Sequence, residues 1–224
     1  MEELKYCYKY PRPAVTADCV ILGFDKGGLS VLLVQRGSEP YKGCWAFPGG
    51  FLNMDEDAET GAKRELNEET GFVTETIEQF GTFSSVNRDP RGRVITIAFY
   101  ALVQKGSVKG GDDAADACWF PIDRIPRLAF DHDEVLNQAL QFLWEKLHFK
   151  PIGIDILPDE FSMEQLQGLY ECIPRVSFEA DNFSKQMLGM GLLEEVSSGK
   201  DEVLYRFDEK IYFSLKKEGF RLDF

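Results

Sequence analysis

Long apolar runs in the first part of the chain predict β-strands. Two of them, VTADCVILGF and LSVLLVQR, lie between Ala14 and Arg36 and are rich in β-branched and aliphatic residues. The residues that separate them, DKGG at 25–28, include adjacent glycines, which suit the positive φ angles of a hairpin turn. The pattern therefore predicts an antiparallel strand pair. Further strands are predicted at about 72–83, 94–103 and 117–120.

Two segments interleaved with these strands carry helical periodicity. One helix is predicted after Asp57 and a second from Asp133 to about Leu147. Mixed strands flanked by two helices are typical of the α/β class, here an α/β/α sandwich with a mixed sheet.

The pattern changes near residue 150, where KPIG at 150–153 and LP at 157–158 interrupt helical periodicity. We therefore predict two domains, 1–150 and 151–224. In the second, SMEQ at 162–165 has the form of a capping box that opens a helix, and another helix fits 180–190, ended by Gly191. Runs at 192–196 and 203–207 predict a β-hairpin. Two helices and a hairpin indicate a small winged helix-turn-helix domain.

Composition limits the classes of protein to which the chain can belong. Its 224 residues are 44% apolar and 28% charged, which excludes disordered and fibrous proteins. No apolar run approaches the roughly 20 residues that span a bilayer, and the first ten residues alternate charge with tyrosine. We therefore expect a soluble, cytoplasmic protein without a membrane partner. The five cysteines are widely spaced and contain no C-x-x-C pair, so we expect neither a disulfide framework nor a zinc site.

The chain is strongly acidic, with 38 acidic and 25 basic residues and a net charge of -13. Such a surface repels the phosphate backbone of nucleic acids unless its cations are concentrated locally. An anionic small molecule meets the same repulsion, which metal ions or a cluster of arginines can reverse.

Three glutamates in the segment GFLNMDEDAETGAKRELNEETGF at 50–72 suggest a metal site. If residues 58–70 are helical, Glu65, Glu68 and Glu69 lie within an arc of about 100° on one face. A bound divalent cation relieves their mutual repulsion, and hard oxygen ligands suit Mg²⁺ or Mn²⁺, which also bind phosphate oxygens. The alternative is a solvated acidic helix face.

The same segment matches every fixed position of the Nudix box, G-x5-E-x7-R-E-U-x-E-E-x-G-U, in which U is a bulky apolar residue. The matching residues are Gly50, Glu56, Arg64, Glu65, Leu66, Glu68, Glu69, Gly71 and Phe72. Nine fixed positions within 23 residues are far more specific than a lone glycine motif. The first domain therefore resembles the Nudix hydrolases. This resemblance implies an α/β/α sandwich with a mixed sheet and metal-dependent hydrolysis of a nucleoside diphosphate linked to another moiety.

The resemblance also implies roles for single residues. The family's metal ligands fall on Glu65 and Glu69, usually with Glu68, and often on the main-chain carbonyl of Gly49; the cofactor would be Mg²⁺ or Mn²⁺.

Arg64 would orient a glutamate of the helix by pairing with Glu56 or Glu65, and its alternative role is to neutralise excess negative charge. The catalytic candidates are Glu65, Glu68, Arg64 and Glu56. Water is the nucleophile, and its proton acceptor is either a glutamate of the helix or a loop acid. The acceptor candidates are Glu65, Glu68, Asp112, Asp113 and Asp116.

Outside the box, YPRPAVT at 10–16, WAFPGG at 45–50 and RDPRGR at 88–93 resemble the ADP-ribose pyrophosphatase branch of the family. The substrate-binding candidates are Arg36, Trp45, Phe47, Arg88, Arg91 and Arg93. The arginines supply cations for a diphosphate, and Trp45 or Phe47 supplies a surface for a base. The alternative is that Arg91 and Arg93 are solvated loop charges and that Trp45 belongs to the core. LAFDH at 128–132 also recurs in these relatives, which makes His132 a minor candidate; its alternative is a place in the cap region of the following helix.

Across nearly its whole length the chain resembles the NrtR-type Nudix-related transcriptional regulators, including sugar-responsive ones. That resemblance implies a Nudix domain that senses a ligand and a winged helix that binds operator DNA as a dimer. Two features oppose it. The box is intact, and the presumed recognition helix at 178–187 has one lysine and two acids. Residues 151–224 carry 15 acidic and 8 basic residues, a net charge of -7 that disfavours phosphate contacts.

We therefore expect an active hydrolase, with ADP-ribose as the leading substrate. The second domain would serve packing or the formation of a homodimer, and DNA binding is not expected. The regulator is the alternative. A non-catalytic nucleotide-binding adaptor would need a broken metal site, and the sequence shows none.

Overall fold

A mixed seven-stranded sheet forms the centre of the first domain in the computed structural model, which describes residues 8–25, 28–110, 114–198 and 203–222. Its strands are β1 (Ala14–Asp25), β2 (Gly28–Arg36), β3 (Trp45–Ala46), β4 (Gly49–Phe51), β5 (Glu78–Phe83), β6 (Val94–Gln104) and β7 (Ala114–Pro121). Strand β1 is central. It pairs antiparallel with β2 and β4 and parallel with β6 along its whole length.

Two helices, α1 (Ala58–Thr70) and α2 (His132–Leu147), cover opposite faces of this sheet. Alternate side chains of β1 divide between them. Ala17, Cys19 and Ile21 share a buried cluster with the α1 residues, whereas Val20 and Leu22 belong to the cluster around α2. The α/β/α sandwich predicted from the sequence is therefore confirmed.

The predicted elements of the first domain are present with small shifts at their ends. The hairpin of β1 and β2 is antiparallel, and Lys26 and Gly27 of its turn lie outside the described residues. The strand predicted at about 72–83 is shorter, beginning at Glu78, and the strand predicted at 117–120 is longer, beginning at Ala114. The short strands β3 and β4 were not predicted.

The C-terminal part is a winged helix-turn-helix, as predicted. Its elements are β8 (Phe161–Ser162), α3 (Met163–Cys172), α4 (Ala180–Gly189), β9 (Leu193–Ser198), β10 (Val203–Phe207) and α5 (Glu209–Glu218). The predicted capping box opens α3, since Ser162 Oγ accepts from the N–H of Gln165 and Gln165 Oε1 accepts from the N–H of Ser162. Strand β8, which pairs with β10, and helix α5 were not predicted.

The two parts share one hydrophobic core. The cluster that contains Leu143 and Leu147 of α2 continues through Ile156 and Phe161 to Leu166 of α3. The domain boundary near residue 150 stays a prediction. Among the described residues no helix is both long enough and apolar enough to cross a membrane.

Candidate active site

Helix α1 is fixed at both ends by its own sequence. The side chain of Asp57 accepts from the N–H of Thr60, and Gly71 adopts a left-handed conformation with φ 65° that ends the helix. The i, i+4 pair Glu65 and Glu69 faces a cleft beside β1 and β4. Glu68 does not line this cleft, and its side chain is 41% exposed.

The cleft has a volume of about 270 Å³ and gathers charged groups from four separate segments of the chain. Its charged and aromatic lining residues are Asp18, Arg36, Phe47, Phe51, Glu65, Glu69, Arg88, Asp89, Arg91, Phe130 and His132. Acids therefore lie in the same cavity as arginines.

Two glycines of β4 allow this strand to lie against the acids. A Cβ atom on Gly50 would sit 2.5 Å from the carboxylate carbon of Glu65, and one on Gly49 would sit 2.3 Å from the carbonyl oxygen of Ala17. The N–H of Gly49 donates to Glu69 Oε2 at 2.9 Å. Gly50 of the box thus provides space for the Glu65 carboxylate, and the preceding Gly49 donates the hydrogen bond that fixes Glu69.

Arg64 joins three glutamates. Its Nε and Nη2 donate to the two carboxylate oxygens of Glu56 at 3.0 and 2.6 Å. Its Nη1 donates to Glu65 Oε1 at 2.8 Å and Glu68 Oε2 at 2.9 Å. The hydrogen bonds from Arg64, with a further one from the N–H of Asn53, hold the pKa of Glu56 at about 2. Arg64 contacts both glutamates suggested by the sequence and fixes the orientation of Glu65.

Burial and crowding of like charges raise the pKa values of the two cleft glutamates. Desolvation is the main reason why the pKa of Glu69 rises to about 7, and the nearby carboxylates of Glu65 and Asp18 add to the rise. Burial also raises the pKa of Glu65, against the opposing effect of Arg64.

The chemistry of these donors fits a hard divalent cation, because carboxylate and carbonyl oxygens are its preferred ligands and positive charge would relieve the repulsion. Within the described residues, no three His, Cys, Asp or Glu side chains already stand in a metal-binding arrangement. Of the predicted ligands, the structure brings Glu65, Glu69 and Gly49 to the cleft and leaves Glu68 paired with Arg64 outside it.

Two of the cleft arginines are already neutralised. Arg88 makes a bidentate pair with Asp131, with distances of 2.9 and 2.7 Å, and Arg91 pairs with Asp89 at 2.7 Å. Arg36 differs, because its Nε donates to the carbonyl of Pro40 and it has no carboxylate partner in the part of the chain that the structure describes. Burial, followed by the charge of Arg91, lowers the pKa of Arg36. An anion bound in the cleft would offset both the burial of Arg36 and its repulsion by Arg91.

The remaining substrate-binding candidates, Arg93, Trp45 and Phe47, are poorly placed to contact a ligand in the cleft. Arg93 is exposed, donates to the carbonyl of Ser84 at 2.7 Å and does not line the cleft. Trp45 packs edge-on against Phe120, with ring centroids 4.6 Å apart, and also lies outside the cleft. Phe47 lines the cleft but is only 2% exposed. Trp45 is thus partly buried against the core, and Phe47 has almost no exposed surface in the cleft.

Different aromatic rings stand at the cleft. Arg91 lies over the rings of Phe51 and Phe130, at 5.0 and 5.5 Å, and Arg36 lies 4.8 Å from the ring of Phe130. Phe130 has a positive φ of 55°, unusual for a bulky residue. Sequence reasoning missed both rings, since nothing in their local pattern distinguishes them from core residues.

Asp18 was also missed. It is 7% exposed in the middle of β1, and its carboxylate accepts from Thr96 Oγ1. A signal was present, because an acid inside the apolar run of a central strand needs a polar partner. Of the loop acids considered as proton acceptors, Asp112 and Asp113 lie outside the described residues. Asp116 is exposed, bonds to the N–H of Ala117 and does not line the cleft.

Comparisons with known proteins agree with this architecture. The NUDIX domain model matches residues 12–139, and the model of the NrtR DNA-binding winged helix domain matches residues 153–207. The ADPR responsive transcriptional repressor NtrR of Acinetobacter baylyi is 33% identical over 208 residues, covering 88% of this chain and 83% of that protein. The ADP-ribose pyrophosphatase of Methanocaldococcus jannaschii is 40% identical over 140 residues, or 62% of this chain and 80% of that protein.

Similarity extends to a solved structure of the whole architecture. Shewanella oneidensis NrtR complexed with a 27mer DNA superposes with a TM-score of 0.71 at 28% identity, covering 89% of this chain and 95% of that one. The resemblance found in the sequence is thus confirmed. The chain belongs to the Nudix family and joins its Nudix domain to a winged helix domain of the NrtR type.

Proposed function

We propose that this protein is a metal-dependent hydrolase that binds ADP-ribose in the cleft and cleaves its pyrophosphate to AMP and ribose 5-phosphate. The observation that supports this most is that Glu65 and Glu69 share one cavity with Arg36. A diphosphate needs a cation that is not already paired, and its hydrolysis needs acids that can hold a metal ion.

The residues that would hold Mg²⁺ or Mn²⁺ are Glu65 and Glu69 with the carbonyl of Gly49. When bound, a divalent ion offsets the negative charge of the diphosphate and so lowers the barrier to attack by water. The protein keeps its two carboxylates in place beforehand, Glu65 through Arg64 and Glu69 through the N–H of Gly49. In this proposal Glu68 serves by holding Arg64.

The remaining steps fall to side chains that line the cleft. Arg36 donates to the phosphate oxygens, and Arg91 lies beside it to favour negative charge there. Water must lose a proton as it attacks. Of the acceptor candidates within the described residues, Glu65 lines the cleft, whereas Glu68 and Asp116 do not, so we assign this role to Glu65.

ADP-ribose is proposed as the substrate because two similar proteins carry it in their names, the repressor of Acinetobacter baylyi and the pyrophosphatase of Methanocaldococcus jannaschii. The test is a panel of nucleoside-diphosphate sugars, dinucleotides and nucleoside triphosphates, each assayed for product release with Mg²⁺ and with Mn²⁺. We expect ADP-ribose to be cleaved fastest. Absence of turnover of every compound with either metal would reject the hydrolase.

A second candidate function is DNA binding controlled by ADP-ribose. It is favoured by similarity over most of the chain to the Acinetobacter repressor and to NrtR in its DNA complex. In such a regulator the cleft would be a sensor and the protein would act as a homodimer.

The charges of helix α4 place this second candidate behind the first. Lys185 is the only basic residue of α4, and the N-cap residue Glu179 accepts from the N–H groups of Asp181 and Asn182. These N–H groups would otherwise be free to receive a DNA phosphate. A carboxylate already occupies that position.

A further inference from the structure

His132, at the start of α2, is held rigidly in the wall of the cleft. It is 3% exposed, and its Nδ1 accepts from the N–H of Phe47 at 3.0 Å. Its ring stacks on the ring of Phe47, with centroids 4.8 Å apart and planes 13° apart, and packs tilted against Phe130 at 5.5 Å. The imidazole is therefore fixed on both sides.

The contact with Phe47 determines which ring nitrogen carries the proton. A backbone N–H can only donate, so Nδ1 must be the unprotonated nitrogen, and a neutral imidazole then carries its hydrogen on Nε2. Burial lowers the pKa of His132, which keeps the ring neutral. The structure thus fixes both the orientation and the tautomer of this side chain.

Nε2 is left to face the cleft. No described residue accepts a hydrogen bond from Nε2, and no fully buried side-chain nitrogen or oxygen among the described residues lacks a partner, so Nε2 is not fully buried. The nitrogen is consequently open to the cavity that the ring lines. The carboxylate of Asp18 accepts from Thr96 Oγ1, and no hydrogen bond joins it to His132 among the described residues. Nε2–H is therefore a donor that an anionic ligand bound in the cleft can receive.

We propose that His132 is a substrate-binding residue whose Nε2–H donates to a phosphate oxygen of the nucleoside diphosphate in the cleft. This inference rests on the proposed function, because it takes the same ligand. A neutral donor suits this position, since it recognises an anionic oxygen without adding a charge beside Arg36 and Arg88, which lie nearby. The ion pair of Arg88 with Asp131 anchors the residue preceding His132.

Two substitutions separate binding from structural support. In His132→Asn the side-chain oxygen can still accept from the N–H of Phe47, but the donor at the Nε2 position is lost. In His132→Gln the amide nitrogen reaches the Nε2 position, but the acceptor for Phe47 is lost. We expect His132→Asn to weaken the binding of a non-hydrolysable methylene analogue of ADP-ribose by about tenfold or more, measured by calorimetry. Its melting temperature should fall less than that of His132→Gln, because the hydrogen bond from the N–H of Phe47 is kept and only ring packing is lost.

His132→Gln should show the opposite pattern, with binding within about threefold and a lower melting temperature. Weakened binding by His132→Gln together with unchanged binding by His132→Asn would overturn the inference, because it would assign His132 a structural role only.

Nuclear magnetic resonance gives a direct test that does not depend on turnover. The chain has only two histidines, His132 and His148, so a protein labelled with ¹⁵N-histidine gives two ring systems. We expect His132 to show the Nε2–H tautomer, and its Nε2–H signal to shift when the methylene analogue is added, with and without Mg²⁺. His148, whose Nδ1 lies 3.0 Å from the carbonyl of Trp144, serves as the control.

Failure of the His132 signal to shift at saturating analogue overturns the inference, whether or not the protein hydrolyses ADP-ribose. A shift without turnover of ADP-ribose would keep the inference and reject the hydrolase. Turnover without a shift would keep the hydrolase and reject the role of His132.

Discussion

The two regions of this protein have nearly equal net charge but arrange it in different ways. Residues 1–150 carry a net charge of -6 and residues 151–224 one of -7. In the first region Arg36, Arg88 and Arg91 converge on one cleft. In the second, Lys185 is the only base in α4, and Arg206 is paired with Glu194 across the β-hairpin. Net charge therefore does not distinguish the two regions, whereas the local concentration of arginines does.

The N-terminal ends of α2 and α4 also differ in the charge that lies on their free N–H groups. Glu179 places its carboxylate on the N–H groups that open α4. Asp131, at the corresponding position of α2, makes no such cap, because Arg88 holds its carboxylate. The positive end of α2 beside the cleft is thus left uncapped by a side chain, and the positive end of α4 is neutralised. This contrast favours a phosphate ligand in the Nudix cleft over DNA at the winged helix.

The largest expected effect is the loss of turnover in Glu69→Gln, which removes the charge of a proposed metal ligand and retains its shape. We expect turnover of ADP-ribose to fall about 10²-fold or more, while the melting temperature in EDTA at neutral pH is no lower than that of the unsubstituted protein. The matched control is Glu59→Gln on the exposed side of α1, where Glu59 pairs only with Lys63. Activity within a few-fold of the unsubstituted protein would show that Glu69 is not a ligand.

The next largest effect is a dependence of the free energy of unfolding on pH, caused by Glu69. The pKa of Glu69 is about 7 in the folded protein against an ordinary 4.5, so folding favours its protonated form. The metal-free protein should therefore lose up to about 3 kcal/mol in its free energy of unfolding as the pH rises from about 4.5 to about 7. Urea unfolding in EDTA at pH 5 and pH 8 measures this loss.

Subtracting the same measurement on Glu69→Gln gives the contribution of Glu69 together with its coupling to Glu65 and Asp18. The subtraction is needed because burial lowers the pKa of His132. Its protonation makes the free energy of unfolding of the protein fall as the pH falls, which is opposite to the effect of Glu69. Equal pH dependence of the two proteins would contradict the raised pKa. Added Mg²⁺ should restore stability at pH 8 in the unsubstituted protein alone.

A smaller effect is expected for Arg36→Met, which keeps an apolar side chain against Phe130 and removes the unpaired cation. We expect KM for ADP-ribose to rise about tenfold and kcat to change little, since the contact is made with the bound substrate. Arg93→Met, outside the cleft, is the control and should alter KM by less than about twofold. An effect of Arg36→Met confined to kcat would contradict a role in ground-state binding.

The smallest expected effect is on DNA. With one lysine in α4 and Glu179 on its N-terminal N–H groups, we expect no specific binding at physiological ionic strength. The measurement is a footprint on the region upstream of the protein's own gene, with and without ADP-ribose, so that a ligand-controlled state is included. Protection of a palindrome at nanomolar protein would show that the winged helix binds DNA, and the Nudix cleft would then act as a sensor.

Elements with strong local signals were predictable from the sequence. The N-cap Asp57, Gly71 and the i, i+4 spacing of Glu65 and Glu69 place α1 and its acidic face. These signals involve residues that are close together along the chain, so they can be recognised in the sequence without knowledge of the fold. Strand β4 has no such signal, because three residues carry no periodicity; it forms only where β1 offers Thr16 to Asp18 as a partner.

The residue types of the site, and the face of α1 that Glu65 and Glu69 share, were predictable from the sequence. The contact of Arg64 with Glu68 was not predicted, since the partners expected for Arg64 were Glu56 and Glu65. Which charges from different segments come together depends on the tertiary fold. Asp18, Arg36, Arg88 and His132 reach one cleft because β1 pairs with β2 and β6 and because α2 begins beside them. The reason is physical. Helical spacing is fixed by a period of about 3.6 residues, whereas distances between side chains from different segments depend on strand order and register, which no short stretch of sequence encodes.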